Sequence, residues 1–239
     1  MGKKREVTIV ETEMEVIGVK KLLTDDYKVV EAVKSLRTNI LFSGTDIQAI
    51  GLTSCDSNDG KTTVALQLAA SLAQNGKSVF FLDTDMRKSV LPYRVEHKEA
   101  ILGLSHFLSG NATLNEVLYH TDEPNLSMIF AGIQPPNPAE LLGSERFKNL
   151  VQQLKKYYDY IIVDTPPLGR VVDCAIEASL LDGVLIVVNA QNNSIKQIRR
   201  VKTQLEKTNG KILGVVLNKV SMRERGGYYG KAYGQYGSY

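Results

Sequence analysis

The stretch 49–63 constrains the fold of this chain more than any other. Its first part is short, apolar and partly β-branched, which predicts a buried strand, and residues 55–59 are small and polar, which predicts a loop. Gly60, Lys61 and Thr62 then open an alanine- and leucine-rich run with high helix propensity. A strand, a polar loop, Gly-Lys-Thr and a helix, in this order, are typical of a phosphate-binding loop (P-loop). The sequence therefore predicts a nucleotide site at the start of this helix.

The residue types of this loop fit the chemistry of phosphate. Backbone N–H groups at the start of a helix lack intrahelical partners, and the helix dipole favours an anion there. Gly60 allows the backbone to approach phosphate closely, the Lys61 ammonium can reach the β and γ phosphates, and the Thr62 hydroxyl is placed to bind Mg²⁺. The predicted nucleotide-binding residues are those of the loop and helix start, with one asparagine after the last strand as a candidate by position: Ser57, Asn58, Asp59, Gly60, Lys61, Thr62, Thr63 and Asn218.

Two positions depart from the usual pattern of such loops. Cys55 stands five residues before Gly60, where the pattern has glycine. Asn58 also occupies a place that suits glycine, although asparagine tolerates left-handed backbone angles. These departures leave open a regulatory module that holds nucleotide without turning it over.

Two further apolar strands are predicted to end in aspartate. Residues 78–82 are followed by Asp83 and Asp85, and residues 160–163 are followed by Asp164. The carboxyl ends of the strands in an open α/β sheet form the edge where ligands bind. Carboxylates at that edge can hold Mg²⁺ or take up a proton beside phosphate. The predicted metal ligands are Thr62, Asp83, Asp85 and Asp164.

Strands alternate with helices along most of the chain. Later apolar strands are predicted at 183–188 and 212–217, with a helix at 194–207 between them whose inner side is predicted to carry Ile195, Ile198 and Leu205. This alternation predicts an α/β fold of the P-loop NTPase type, with a parallel central sheet covered by helices on both faces.

The composition is that of an ordinary soluble globular protein, with 43% hydrophobic and 23% charged residues among 239. A net charge of +3 is too small to indicate nucleic-acid binding, and none is expected. Cys55 and Cys174 provide no disulfide framework, which favours a reducing cytoplasm. No signal peptide or membrane span is predicted, so any membrane association is expected to come through a partner.

The chain divides into three predicted segments: a polar, extended lead-in (1–24), the P-loop domain (25–222) and a tyrosine-rich tail (223–239). The last twelve residues hold five of the eleven tyrosines, are rich in glycine and have no aliphatic side chain larger than alanine. Such a segment cannot form a core, so disorder is predicted. It is either a low-complexity adhesive tail or a set of phenols open to modification: Tyr228, Tyr229, Tyr233, Tyr236 and Tyr239.

An early helix, predicted at 25–42, has one apolar face, and its opposite side carries Glu31, Lys34 and Arg37. Charges spaced by three along a helix pair readily with each other. On periodicity alone, these three residues indicate a solvated helix face.

Taken together, these motifs resemble the cytoplasmic tyrosine kinases of Gram-positive bacteria that accompany capsule and exopolysaccharide synthesis. The resemblance extends from about residue 27 to residue 239. It is carried by the P-loop, by the second acidic motif at 83–87 (called Walker A′), by Asp164 with the three residues after it, by the loop 135–142, and by the tyrosine cluster. Partition ATPases of the same superfamily usually have a lysine where this chain has Asp56, which argues against that branch.

The resemblance implies an enzyme that transfers the γ-phosphoryl group of ATP, with Mg²⁺, to tyrosine, including tail tyrosines in trans. It implies that Lys61 contacts phosphate, that Asp83 accepts the tyrosine proton or holds the metal, that Asp85 supports the metal, and that Asp164 orients it through water. The implied catalytic residues are Lys61, Asp83, Asp85 and Asp164.

The resemblance also implies an assembly. In the family, a helix with Glu and two Arg at spacings of three builds a ring-shaped homo-oligomer, such as an octamer. Glu31 and Arg37 match that pattern, but Lys34 replaces the first arginine and lacks its planar fork. Further implied partners are a membrane-spanning activator of the polysaccharide co-polymerase type, which would recruit the cytoplasmic protein to the inner face of the membrane, and a cognate tyrosine phosphatase.

A second function class also fits part of the sequence. A non-kinase ATPase switch of the partition type would use the P-loop and Asp164 to drive dimerisation. That hypothesis gives the tail tyrosines no role, so tyrosine phosphorylation is the observation that separates the two.

Overall fold

The structure, a computed structural model, describes residues 16–95, 97, 100–169, 173–208 and 210–221. Its strands are β1 (Val16–Ile17), β2 (Ala49–Ser54), β3 (Val79–Asp83), β4 (Tyr119–Thr121), β5 (Leu126–Ile129), β6 (Tyr160–Asp164), β7 (Gly183–Asn189) and β8 (Ile212–Asn218). Its helices are α1 (Tyr27–Leu41), α2 (Lys61–Gln74), α3 (Leu104–Leu108), α4 (Leu114–Val117), α5 (Pro138–Leu142), α6 (Glu145–Tyr157), α7 (Asp173–Ala178) and α8 (Ile195–Glu206).

These strands form one sheet in the order β1-β4-β5-β3-β6-β2-β7-β8. Neighbouring strands run parallel except for β4 and β5, which are antiparallel. The predicted α/β fold is confirmed, with this one antiparallel pair as a departure from a wholly parallel sheet. Strand β4 was not predicted, because three residues are too short to show a period.

Helices cover both faces of the sheet because the side chains of each strand alternate between the faces. Phe81 of β3 packs on the side of α1 and α2, whereas Phe80 packs on the side of α3 and α6. A third cluster joins β7 to α8 through Val201 and Leu205. Because both faces are buried, the central strands are continuously apolar, as the sequence predicted.

Strand register brings the functional ends of three strands together. Asp83 at the end of β3 is aligned with Asp164 at the end of β6, and Leu52 of β2 is aligned with Asp164 from the other side. The loop that follows β2 therefore starts beside both acids, at the carboxyl edge of the sheet.

Part of the predicted lead-in belongs to the sheet. Residues 16–17 form β1, which pairs with β4, and both Ile17 and Val19 are fully buried. The backbone N–H of Val19 also donates to Asp122 Oδ1 at 2.7 Å. Residues 1–15 lie outside the described part of the chain.

The inner face predicted for α8 was wrong at one position. Ile195 is 69% exposed, and the buried residues of this helix are Val201 and Leu205. Ser194 caps the helix by accepting from the N–H of Gln197, so Ile195 occupies the first helical position, at the end that faces solvent.

The tail, with its five tyrosines, lies outside the described residues, as does everything after residue 221. Among the helices that the structure describes, none combines the length and apolar character needed to cross a membrane.

Candidate functional site

The phosphate loop has the predicted conformation. Gly60 precedes α2 with φ +92°, and a Cβ at this position would lie 2.2 Å from Asn218 Nδ2, so only glycine fits. Asn58 adopts φ +69°, as its tolerance of left-handed angles allows. The start of α2 is thereby held open towards a cleft of about 540 Å³ that is continuous with solvent.

Most of the predicted nucleotide-binding residues line this cleft, but two do not. The lining residues are Ser54, Asp56, Ser57, Asn58, Gly60, Lys61, Thr62, Thr63, Asp85, Lys88, Val90, Arg94 and Pro167. Lys88 and Arg94 were not predicted, since nothing in their spacing indicates which way they face. Asp59 and Asn218 lie behind the loop, outside the lining set.

Asp59 and Asn218 belong to a brace that holds the loop from behind. The Asp59 carboxylate is buried and accepts from the Asp56 N–H at 2.7 Å and from Asn193 Nδ2 at 3.2 Å. Asn218 Nδ2 donates to the Asp59 carbonyl at 2.9 Å, and Lys219 Nζ donates to the Asn58 carbonyl at 2.6 Å. Gln197, on the first turn of α8, donates to Asp56 Oδ2 at 3.0 Å. Lys219, like Asn218, is a candidate by its position after the last strand, whereas Asn193 and Gln197 could not be found from sequence because their partners are 134 and 141 residues away.

Lys61 lies among the three predicted acids. Its Nζ is 2.5 Å from Asp164 Oδ1 and 3.9 Å from Asp85 Oδ2, and all four side chains of the group are buried. Asp83 accepts from Ser89 Oγ at 2.5 Å. The group therefore holds one positive and three potential negative charges at the mouth of the phosphate loop.

Burial and mutual repulsion shift the pKa values of this group. Burial, followed by the charge of Asp164, raises the pKa of Asp83 to about 7. Burial also raises the pKa of Asp85, against the opposing effect of Lys61. Burial alone would lower the pKa of Lys61, but Asp164 and Asp85 raise it above its ordinary value. Lys61 thus stays charged, and Asp83 can gain or lose a proton near neutral pH.

This shift predicts how stability depends on pH without nucleotide. Asp83 has a folded pKa near 7 and an ordinary value of 3.8, so wild-type stability falls as pH rises through that interval. The melting temperature of Asp83→Asn relative to wild type should therefore be higher at about pH 8 than at about pH 5.

The control for that experiment is Asp182→Asn. Although burial acts in the opposite direction, hydrogen bonds from Lys155 and from the N–H groups of Ala49 and Gln48 lower the pKa of Asp182. Asp182 is ionised at both pH values, so this variant should show the same deficit at each. A gain for Asp83→Asn that does not grow with pH would contradict the assignment.

The donor set of the site fits Mg²⁺ bound with a nucleotide. Carboxylate and hydroxyl oxygens are the ligands that Mg²⁺ prefers, and three acids with one lysine leave two negative charges when all are ionised. Among the described residues, no group of three or more acidic, histidine or cysteine side chains is arranged to hold a metal ion by itself. The group that the structure does bring together is a mixed one, with the Lys61 ammonium 2.5 Å from Asp164 Oδ1.

Gly169 is a structural residue of the site that the sequence did not indicate. A Cβ at this position would lie 2.0 Å from the carbonyl oxygen of Cys55, which is backbone and cannot turn aside. Gly169→Ala should therefore displace the phosphate loop and weaken nucleotide binding about tenfold or more, measured by titration with a fluorescent ATP analogue. Gly18→Ala is the control, because its nearest atom would be 3.9 Å away. Equal affinity in both variants would show that the loop does not depend on this contact.

The thiol of Cys55 is not a reactive group of the site. It is buried, and burial together with Asp59 and Asp56 raises its pKa to about 11. It therefore stays protonated at neutral pH and packs as a small apolar side chain in place of the usual glycine.

Comparison with known proteins places this site in a family. Residues 47–214 match the model of the AAA domain. The tyrosine-protein kinase CpsD of Streptococcus agalactiae is 39% identical over 228 residues, which cover 95% of this chain and 96% of that protein. The chain belongs to the bacterial tyrosine-protein kinases. The predicted family resemblance is thus confirmed.

Solved structures of similar proteins support the assignment of this chain to the tyrosine-protein kinases. The crystal structure of the chimerical protein CapA2B2 is 32% identical, with a TM-score of 0.79 over 86% of this kinase and 94% of that chain. A structure of McdA is 23% identical, with a TM-score of 0.60 over 72% of each chain, and shares the fold alone.

Proposed function

We propose that this kinase transfers the γ-phosphoryl group of ATP, bound with Mg²⁺, to tyrosine side chains, including those of its own tail in trans. The observation that supports this most is the buried group of Lys61 and three acids at a phosphate loop, in a chain that aligns with tyrosine-protein kinases over nearly its whole length. In the reaction, the bond between the γ-phosphorus and the β–γ bridging oxygen breaks, a bond to the phenol oxygen forms, and ADP leaves.

Each side chain of the group has a role that follows from its position. The Lys61 ammonium neutralises charge on the transferred group, and the backbone N–H groups of residues 60–63 orient the phosphates. Asp83, with a pKa of about 7, is suited to take the phenol proton at neutral pH. Thr62, Asp85 and Asp164 would hold the metal, directly or through water, and Mg²⁺ supplies charge neutralisation to the phosphates when bound.

The setting proposed for this reaction is the inner face of the cell membrane. A membrane-spanning activator of the polysaccharide co-polymerase type would recruit the cytoplasmic kinase there, and a cognate phosphatase would reverse the modification. The output would be control of capsular or exopolysaccharide synthesis and export. Support comes from the sequence resemblance to kinases of that role and from the 39% identity to CpsD.

Tail phosphorylation would loosen a homo-oligomer such as an octameric ring. Each phosphotyrosine adds about −1.5 to −2 charges, so five add on the order of −8 to −10. That exceeds the net charge of +3 of the whole chain. Repeated phosphorylation and dephosphorylation of the tail would alternate the protein between the assembled and the dissociated state.

The three residues proposed for the ring interface have different surroundings. Glu31 and Lys34 pair with each other at 2.8 Å and remain about half exposed, so both are accessible to a neighbour. Arg37 instead donates to the carbonyl of Ser71 on α2 at 2.9 Å, within the same chain. We expect replacement of all three by alanine to give a monomer in sedimentation velocity, and Arg37→Ala alone to lower the melting temperature. An unchanged mass distribution in the triple variant would show that these residues form a solvated helix face and not an interface.

Transfer in trans is tested by mixing two proteins. One is Lys61→Met with an intact tail; the other is active and truncated after Gly227, with Mg-ATP and the cytoplasmic segment of the activator. The tail can reach a neighbouring subunit, since about twenty extended residues span roughly 65–70 Å. Phosphate should appear on tail tyrosines of the inactive partner. If the inactive partner stays unlabelled, while full-length active protein incubated in parallel becomes labelled, transfer is in cis.

A further inference from the structure

The outer face of α8 is strongly basic. Val201 and Leu205 bury the inner side of this helix against β7. The helical repeat places four cations on the opposite side, and all four are exposed: Lys196, Arg199, Arg200 and Lys207 at the helix end. This basic face runs the length of a helix of about 18 Å.

The net positive charge of the chain comes from α8 and the residues that follow it. Residues 195–211 contain six lysines and arginines and one glutamate, a net charge of +5. The whole chain carries +3, so the remainder carries −2. This segment therefore carries more net positive charge than the chain as a whole.

The four cations of the basic face are not engaged in ion pairs with the residues that the structure describes. The surface helices elsewhere differ: Lys34 pairs with Glu31 on α1, and Lys148 pairs with Glu145 on α6. On α8, one pair of this kind occurs, between Lys202 and Glu206 at 3.0 Å, at the flank of the basic face. A solvated helix face normally mixes both signs, and this one does not.

An exposed apolar side chain borders the basic face. Ile195, which begins α8, is 69% exposed and lies one helical turn before Arg199. Cations beside an exposed apolar group are the combination that binds the headgroup region of a membrane.

We propose that the basic face of α8 docks the protein directly on an anionic lipid surface, independently of any protein partner. Anionic headgroups complement the four cations of the basic face on a surface about one helix long, and Ile195 can enter the boundary between headgroups and acyl chains. Each basic residue close to an anionic surface strengthens binding about fivefold, so the four together contribute on the order of several hundred-fold. The first turn of α8 also holds the phosphate loop through Gln197. Docking of α8 would therefore fix the position of the phosphate loop relative to the membrane.

The test is co-sedimentation of the full chain, without nucleotide, with phosphatidylcholine vesicles that contain none or about 30 mol% phosphatidylglycerol. The variant replaces Lys196, Arg199, Arg200 and Lys207 with glutamine. The matched control removes the same charge elsewhere, by glutamine at Lys20, Lys77, Lys148 and Lys156. Melting temperatures confirm that both variants fold.

Wild type and control should bind the anionic vesicles and not the neutral ones, with binding lost as salt rises from about 0.05 to about 0.5 M. The affinity of the α8 variant for anionic vesicles should be at least about 100-fold lower than that of wild type. Equal loss of binding in the control would overturn the proposal, because net charge alone would then explain the binding. Binding to random duplex DNA without binding to vesicles would also overturn it, because the basic face would then be a nucleic-acid surface. Because no ATP is present, the result does not depend on whether the protein is a kinase.

Discussion

Replacing Lys61 with methionine is expected to lower tyrosine phosphorylation by at least ~10³-fold. The substitution removes the ammonium that would neutralise the transferred phosphoryl group. It also leaves Asp164 buried without the partner that lies 2.5 Å away in the native protein. Initial rates of phosphotyrosine formation with Mg-ATP and the activator segment measure the effect, and Lys77→Met, on the connection before β3, is the control with the same change of side chain.

Loss of the fold would mimic loss of function in this variant. An unpaired buried carboxylate destabilises a protein by about 3–5 kcal/mol. The double variant Lys61→Met with Asp164→Asn removes both charges of the pair, so its melting temperature should recover part of the loss while its activity stays at the level of the single variant. Activity within tenfold of wild type, in either folded variant, would remove Lys61 from the catalytic group.

Asp164→Asn alone is expected to lower phosphorylation by about 10²- to 10³-fold. Asparagine keeps the shape of the side chain but loses the charge that positions Lys61 and that would orient the metal. Lys61 still faces Asp85 and Asp83, so the stability cost should be smaller than for Lys61→Met. The decrease should appear in kcat, because the interaction acts on the transferred group and less on the adenosine part of ATP.

Asp182→Asn is the matched control for this prediction as well. Asp182 pairs with Lys155 at 2.6 Å and accepts from the backbone of Gln48 and Ala49, at the opposite end of β2 from the phosphate loop. Its loss should lower stability and leave kcat unchanged. If both asparagine variants lost activity in proportion to their melting temperatures, Asp164 would have only a structural role.

The parts of the fold that the sequence predicted share one property: each rests on a local pattern that extends over five or more residues. Strand β6 is a continuous apolar run, and α1 lies within the helix predicted at 25–42 from the spacing of its apolar face. Strands β1 and β4 have two and three residues, so neither shows a period, and their pairing depends on residues more than 100 positions apart.

The same distinction holds in the site. The predicted meeting of Asp83 and Asp164 follows from parallel strands, whose carboxyl ends always share an edge. The direct pair of Lys61 with Asp164 was not predicted, since the sequence indicated a role for Asp164 towards the metal through water. Arg37 was expected on the side of α1 opposite its apolar face, but its length lets it reach Ser71 on α2. Contacts of this kind depend on side-chain reach, which the spacing of residues does not determine.

The fate of the γ-phosphate is the most direct measure of whether this site phosphorylates tyrosine. Purified protein is incubated with γ-labelled Mg-ATP and the activator segment, digested and analysed by mass spectrometry, beside Lys61→Met. Label is expected on tyrosines within residues 222–239 of the wild type, and none is expected in the variant. If ATP is hydrolysed to free phosphate while every tyrosine stays unlabelled, the protein is an ATPase switch and not a tyrosine kinase.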